Sequence, residues 1–479
     1  MASLLNRALF KYKFGVVALF FSLSVVHASN PVVSDVGMAD PHIKYWPQVN
    51  AFYGYTTHDF SPNNTGFKML DWRVWMSPDL IQWYLADTLY PQNTPSPQGD
   101  WEQCWATDAA YRNGMYYFYL SIGGDQVAVM TGQAPAGPWN NTLGVPLLNS
   151  SLGTSLGTTL RDPCVFQDDD GEFYIIAGVF KYVIAKLNED MISLAEYPKE
   201  VIVNNPLGPY GNKTDDKPFI HKYNGIYYLS WGCFYATSTS IYGPYQVDYN
   251  YNSFVLTDNI DPAFRTNNTG GPWYSNEDYQ DRHGSFWTFG NQWFWAGNDR
   301  SHSNGVNAGV FRDTVMAYVS YFENGTIVPV TINGQGVGAY GAHTIIEAEN
   351  FMMLSNDAKK KHTLDGFIFG VSSLSEISHI HYPHIHGLQE FSNTIAIVFT
   401  YSNTAKRSGP VFVIPRIGSA TGPILATCEL QNSLDEFIES SHCIINTDLV
   451  KKEREFDLVL TFTEQVESLF LDSFQFINV

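Results

Sequence analysis

The 479-residue sequence predicts an all-β protein, a five-bladed β-propeller followed by a β-sandwich of jelly-roll type. Three observations predict it. A hairpin motif recurs at intervals of about 60 residues, too small a unit to fold alone. The texture changes near residue 340, with all 12 Trp before that point and none after it. Aromatic residues make up 15% of the chain and charged residues only 15%, against about 25% in an average globular protein. So many rings must be buried or stacked, which excludes disorder.

The chain opens with a secretory signature over residues 1–28. Arg7, Lys11 and Lys13 precede an apolar run from Gly15 to Val26, and Val26-His27-Ala28 offers a small residue at the cut. Twelve helical residues span about 18 Å, too short for a bilayer core. A secreted, extracellular product is the expectation. Six Asn-X-Ser/Thr sequons, at Asn63, Asn140, Asn149, Asn212, Asn267 and Asn324, fit a secreted glycoprotein.

The propeller is expected over 30–338. Its hairpins read Ala110 to Tyr119 around Asn113-Gly114, Val165 to Ile175 around Asp170-Gly171, Ile220 to Leu229 around Asn224-Gly225, and Phe286 to Trp295 around Gly290-Asn291. Such dipeptides supply the positive φ that tight hairpin turns require. The turn glycines Gly114, Gly171, Gly225 and Gly290 are 57, 54 and 65 residues apart. A strand at Ala51 to Thr57 lies one period earlier and makes a fifth unit. In a propeller the inner strands converge on a channel, and residues at their starts line one mouth.

Gly334 to Gly338 reads as a linker, and 343–479 as the sandwich. Thr394 to Tyr401 and Val411 to Ile414 alternate as strands do. Cys428 and Cys443, 15 apart in this segment, are expected to pair, while Cys104, Cys164 and Cys233 leave an odd count and at least one buried thiol. His379, His381, His384 and His386 read as a polar surface strand whose register Pro383 shifts, ahead of a metal site.

Three carboxylates carry the chemistry. Asp40, Asp162 and Asp216 each stand just before an inner-strand candidate, with Pro41, Pro163 and Pro218 within two residues. A propeller gathers equivalent positions at its axis. Glycoside hydrolysis needs one carboxylic acid to protonate the leaving oxygen and one carboxylate to act from the opposite face. A third can tune the acid by like-charge coupling. The net charge of −20 disfavours nucleic acid or an anionic membrane as partner.

These motifs resemble glycoside hydrolase family 43 over about residues 35–338. The resemblance implies a five-bladed propeller acting on arabinose- or xylose-containing glycans, mostly with inversion and with no cofactor for catalysis. Ala39-Asp40-Pro41-His42 resembles the general-base motif, and Arg161-Asp162-Pro163 that of the Asp that orients the acid and tunes its pKa. Trp105-Ala106-Thr107-Asp108 resembles a blade-start segment, His283-Gly284-Ser285-Phe286 the axial histidine motif, and Asn298-Asp299-Arg300 the segment whose Arg faces the sugar. Where the family usually has Glu-X-Pro for its acid, the chain has Asp216-Lys217-Pro218. Asp215 and Glu277 stand as alternative proton donors, and Lys217 would lower the pKa of any carboxylate it touched. Trp105 and Trp231 are candidates for the sugar platform.

The C-terminal segment resembles a family 6 carbohydrate-binding module, through Ile345 to Phe351, Ile417 to Cys428 and Leu471 to Phe476. This resemblance implies a structural Ca²⁺ on Glu347, Glu349 and Asp472, oxygen ligands that suit a hard ion. Ile377 to Ile380 and Ser473 stand where that module carries its sugar-stacking rings, which leaves a structural partner of the propeller as the alternative to a sugar binder. The expected protein is a monomeric, exo-acting hydrolase of plant cell-wall arabinoxylan, of α-L-arabinofuranosidase or β-xylosidase type. A galactan-directed exo-hydrolase and a non-catalytic sugar-binding protein are the alternatives.

Overall fold

The computed structural model describes residues 30–479 except 35, 61–66, 209–210, 248–255, 261–282, 300–310, 364–367, 393, 405–410, 434–435 and 464–467. The secretory signature, Glu277, Arg300, Asn63 and Asn267 therefore lie outside the described residues.

Antiparallel sheets form the five blades, each beginning near the axis. The first is Met38–Trp46 (β1), Ala51–His58 (β2), Trp72–Ser77 (β3) and Tyr84–Leu89 (β4). The second is Trp105–Arg112 (β5), Met115–Ile122 (β6) and Gln126–Gly132 (β7). The third is Cys164–Gln167 (β8), Phe173–Val179 (β9), Lys181–Lys186 (β10) and Lys199–Val201 (β11). In the fourth, Val203–Asn204 (β12) lies parallel to the outer edge of Phe219–Tyr223 (β13), Ile226–Trp231 (β14), Phe234–Ser238 (β15) and Tyr245–Gln246 (β16). Leu256–Ile260 (β17) pairs with a later strand. The fifth blade is Gly284–Phe289 (β18), Gln292–Asp299 (β19) and Asp313–Val319 (β20), and Val330–Ile332 (β21) is the partner of β17. Inner strands β1, β5, β8, β13 and β18 pack in sequence, and β18 returns to β1.

Turn chemistry sets the hairpins. Asn113-Gly114, Asn224-Gly225 and Gly290-Asn291 have positive φ at both residues, which joins the strands with the twist they need. Strand periodicity then sends alternate rings to opposite faces. On β6, Tyr116 and Phe118 pack with Tyr55 and Trp72 of the first blade. Tyr117 and Tyr119 pack with Ile175 and Val183 of the third. On β19, Phe294 joins Phe52 and Trp75, while Trp295 joins Phe234 and Tyr235. Both faces of each blade are thus core, which is what the aromatic excess is for. Asn30 closes the ring: it accepts from Met316 N at 2.8 Å and donates to Met316 O at 2.9 Å, so the start of the described chain lies along β20.

The C-terminal residues form two packed sheets. One is built on His379–His386, Glu455–Phe462 and Val411–Ile417, the other on Ile395–Asn403 and Leu469–Asn478. Ile380, Tyr382 and Leu460 from one meet Ile397, Phe399 and Phe474 from the other. The Cys428–Cys443 disulfide links the two sheets as expected, and Cys104, Cys164 and Cys233 are buried thiols. Along the histidine strand the register shifts between Tyr382 and Ile385, around Pro383. His381 meets Asp457 at 3.4 Å and His384 meets Glu455 at 3.4 Å, so these histidines form a polar face with carboxylate partners.

The sandwich docks on the fifth blade. Gln292 donates to Glu349 O at 2.7 Å, and the Tyr318 and Tyr340 hydroxyls lie 2.7 Å apart. Among the described residues no helix is long and apolar enough to cross a membrane.

Candidate active site

A cavity of about 220 Å³ opens at the axis, lined by Asp40, Asp162, Asp216, Lys217, Arg161, His283, Arg312, Trp105 and neighbours. The residue before proline normally avoids helical backbone. Here Asp40, Asp162 and Lys217, each followed by Pro, have φ of 54°, 56° and 54°. This shared, sparsely populated conformation at three blade starts turns three side chains toward the axis. The repeat position equivalent to Asp40 and Asp162 is therefore Lys217, and Asp216 stands one residue ahead of it.

Asp40 is 3% exposed. Its Oδ1 accepts from Asn298 Nδ2 at 2.7 Å, from Arg312 Nη1 at 2.9 Å and from Lys217 Nζ. Its Oδ2 has Arg312 Nη2 at 3.4 Å. Arg312 also meets Asp59 at 2.8 Å. Asp162 N donates to Ser121 Oγ at 2.7 Å, and Arg161 Nε lies 3.7 Å from its carboxylate. Asp216 faces the cavity, with Arg161 Nη2 at 3.2 Å and His283 Nε2 at 2.6 Å. The other ring nitrogen of His283, Nδ1, is 3.5 Å from Asp40 Oδ1, so one imidazole stands between the two carboxylates.

The neighbours split the carboxyl groups. Burial, then the Asp216 charge, push Asp162 up to about 7. Burial works upward on Asp216 too, but His283 and Arg161 outweigh it and hold that carboxyl below the usual range. Burial lowers His283 to about 4, which keeps it neutral near pH 7. Asp215, Asp216 and His283 bring possible ligand atoms within 4.8 Å of one another. With the Arg161 guanidinium on the same carboxylate, charge pairing is the chemistry that set supports.

The expected residues divide. Asp40, Asp162, Asp216, His283 and Trp105 meet at the cavity, with Arg161 stacked over the Trp105 ring at 4.8 Å. Asp215 lines the cavity but is 6% exposed, and its backbone carbonyl accepts from Tyr182. Trp231 is corrected: it is 1% exposed, donates to Leu207 O and packs near Tyr182, a core residue with no face for a sugar. Asp108, a substrate-binding candidate by its motif, does not line the cavity. It is fully buried and ties blades together through Lys44 at 2.8 Å, His42 at 3.0 Å and Val165 N at 2.7 Å. Arg300 lies outside the described residues. Two cations face Asp40, Lys217 and Arg312, and the sequence reading missed Arg312. Its only signal was its place immediately before β20, a strand that opens on the polar Asp313 and Thr314.

Glu347, Glu349 and Asp472 do converge, on a cavity of about 680 Å³ between the fifth blade and the sandwich. Burial raises all three. Asp472 adds to the rise of Glu347, and both add to that of Glu349, which reaches about 8. Glu349 Oε2 is buried without a hydrogen-bond partner.

The sequence profile of Glycosyl hydrolases family 43 matches residues 28–234. The chain is similar to a xylosidase/arabinosidase of Bacteroides ovatus, 26% identical over 270 residues, 46% of this chain and 78% of the relative. It is also similar to an arabinoxylan arabinofuranohydrolase of Paenibacillus polymyxa, 26% identical over 447 residues, 85% of this chain and 67% of the relative. A crystal structure of a family 43 arabinoxylan arabinofuranohydrolase from Bacillus subtilis, in complex with cellotetraose, shares the fold. Its TM-score is 0.54 at 20% identity, over 95% of this chain and 98% of that one.

Proposed function

We propose that the chain is a glycoside hydrolase of family 43: a secreted, monomeric, exo-acting and inverting enzyme of arabinoxylan that releases α-L-arabinofuranosyl or β-xylosyl units. The observation that carries this reading is the meeting of Asp40, Asp162 and Asp216 in one axial cavity with His283 between base and acid. Asp40, ionised by its donors, removes a proton from water. Asp216, which faces the cavity beside Arg161 and His283, protonates the departing oxygen. Asp162 stores the proton that the pair needs near neutrality. The His283 contacts cap the separation of Asp40 and Asp216 at about 8 Å, compatible with the roughly 6.5–9.5 Å that leaves room for water in an inverting pair.

A cavity of about 220 Å³ is small beside the ~300–1,000 Å³ of typical ligand sites, which supports taking one terminal sugar at a time. Trp105 supplies an apolar wall. Four sequon residues, Asn140, Asn149, Asn212 and Asn324, are exposed, which supports a glycosylated, secreted chain. We assign 30–338 to the catalytic unit and 343–479 to a module of carbohydrate-binding family 6 type. Its Glu347, Glu349 and Asp472 fit a structural Ca²⁺: three repelling carboxylates and one unpartnered oxygen are what a hard cation relieves.

The test is digestion of arabinoxylan with the anomer of the first product resolved by NMR. The inverted sugar appears first, and Asp40→Asn lowers kcat by about 10²–10⁴-fold with the fold intact. Retention of configuration, or full activity in Asp40→Asn, overturns the reading.

A further inference from the structure

Lys217 lines the cavity and has no reacting role in the proposed hydrolysis. It lies in the left-handed backbone region that a side chain enters only under constraint, and it is 9% exposed. From the start of β13 its ammonium crosses the axis to Asp40, 177 residues away in sequence, at the start of β1. Arg312 divides its charge between Asp40 and Asp59, whereas Lys217 is committed to Asp40.

The two oxygens of Asp40 are consequently unequal. Oδ1 takes Lys217, Arg312 Nη1 and Asn298 Nδ2, more donors than its two lone pairs serve well. Oδ2 has one long contact, at 3.4 Å. The groups facing this carboxylate are Lys217 before β13, Arg312 before β20, His283 before β18 and the neutral Asn298 on β19. Asp59 lies behind Arg312, and Asp162, Asp215, Asp216 and Arg161 share the cavity.

We propose that Lys217 is a positioning residue for Asp40: it fills Oδ1, leaves Oδ2 as the oxygen that receives the proton, and keeps the carboxylate ionised to lower pH than Arg312 and Asn298 alone. The proposal rests on Asp40 as the base. In the step it serves, a water O–H bond breaks and its proton goes to Oδ2. The water oxygen bonds to the anomeric carbon, the glycosidic C–O bond breaks, and the leaving oxygen takes the proton of the acid.

The experiment compares the full chain with Lys217→Met, which keeps the apolar stem, and Lys217→Arg, which keeps the charge. The side-chain carboxyls are followed by ¹³C NMR against pH, with the Asp40 signal identified by its loss in Asp40→Asn. A cation beside an Asp lowers its pKa by about 1–3 units, so Lys217→Met moves the Asp40 midpoint up by about that much and Lys217→Arg leaves it in place. The acid limb of kcat/KM rises with it, while KM changes less than about twofold. An unmoved midpoint in Lys217→Met that melts like the parent overturns the proposal. Loss of activity at every pH in that variant also overturns it, because Lys217 would then be a reacting group. The NMR midpoint needs no turnover. A shifted midpoint in a protein that hydrolyses no glycan supports the Lys217–Asp40 coupling and rejects the enzymatic reading instead.

Discussion

Two carboxylates that share one guanidinium do not share it equally. Arg161 stands 3.2 Å from Asp216 but 3.7 Å from Asp162, and only Asp216 has His283 as well. The proton therefore rests on Asp162, whose carboxyl titrates at about 7, and above that pH the pair has none to deliver. The alkaline limb of kcat/KM is expected near pH 7. In Asp162→Asn the repulsion that favours a proton on Asp216 is gone, so that limb moves to lower pH by about one unit or more, with kcat down about 10²-fold. An unmoved limb would remove Asp162 from the proton store. Stability follows the same group. A carboxyl raised above its unfolded value contributes stability present at low pH and lost as pH rises through about 7. Denaturant titrations at pH 5 and pH 8 should therefore differ less in Asp162→Asn than in the parent. At this scale the sequence was legible where a side chain and its proline stood together, as in Asp40-Pro41 and Asp162-Pro163. It misled at Asp216, because the backbone counts from Pro218 and places Lys217 in the repeat position. Arg312 was hidden because its partners Asp40 and Asp59 are more than 250 residues away.

At the scale of the element, the hairpins were readable because their turns are local: Asn113-Gly114 and Asn224-Gly225 need nothing but their own backbone. The destination of the rings between them was not. A sugar platform and an inter-blade core ask for the same residues, and Trp231 went to the core because β14 has a neighbouring blade on each face. Gly290 shows how a turn acquires a second duty. Its φ of +59° suits glycine, and a Cβ there would meet Met352 O at 2.4 Å and Met353 Cα at 2.8 Å. The turn that ends β18 thus also seats the sandwich, with Leu354 N donating to Gly290 O at 2.8 Å. Gly290→Ala combines left-handed strain of about 1–2 kcal/mol with a backbone clash. It is expected to lower the melting temperature and to raise proteolysis at the junction, whereas Gly114→Ala, where a Cβ meets open space, shows the strain alone. Equal losses in the two variants would mean that the close approach at Gly290 carries no weight.

For the molecule as a whole, the question is what holds a Trp-free sandwich on a Trp-rich propeller. Part of the answer is polar: Lys360 reaches Gln292 Oε1 at 3.0 Å and Val319 O at 2.9 Å, next to the acidic cavity of Glu347, Glu349 and Asp472. Burial first, and then the charge of Glu349, act in opposite directions on Lys360 and leave it at about 8, so this one cation does not neutralise three carboxyls. Without a further positive charge, those carboxyls must hold protons or repel. A Ca²⁺ bound there displaces the protons and stabilises the native chain by RT ln(1 + [Ca²⁺]/Kd), about 2.7 kcal/mol at a hundredfold excess over Kd. The expected outcome is a melting temperature several degrees higher in millimolar Ca²⁺ than in chelator at pH 7.5. The gap should shrink at pH 5, where the raised carboxyls keep their protons and compete with the ion. Asp472→Asn should abolish the Ca²⁺ increment and raise the chelator-treated baseline, because it removes one of three repelling charges. Calorimetry with the same melting curve in Ca²⁺ and chelator, and no change of baseline in Asp472→Asn, would show that protons alone settle this cavity. Kinetics on arabinoxylan separate the two units, since Ca²⁺ removal should leave kcat within about twofold at temperatures below the first transition: Asp40, Asp162 and Asp216 line a different cavity from Glu347, Glu349 and Asp472.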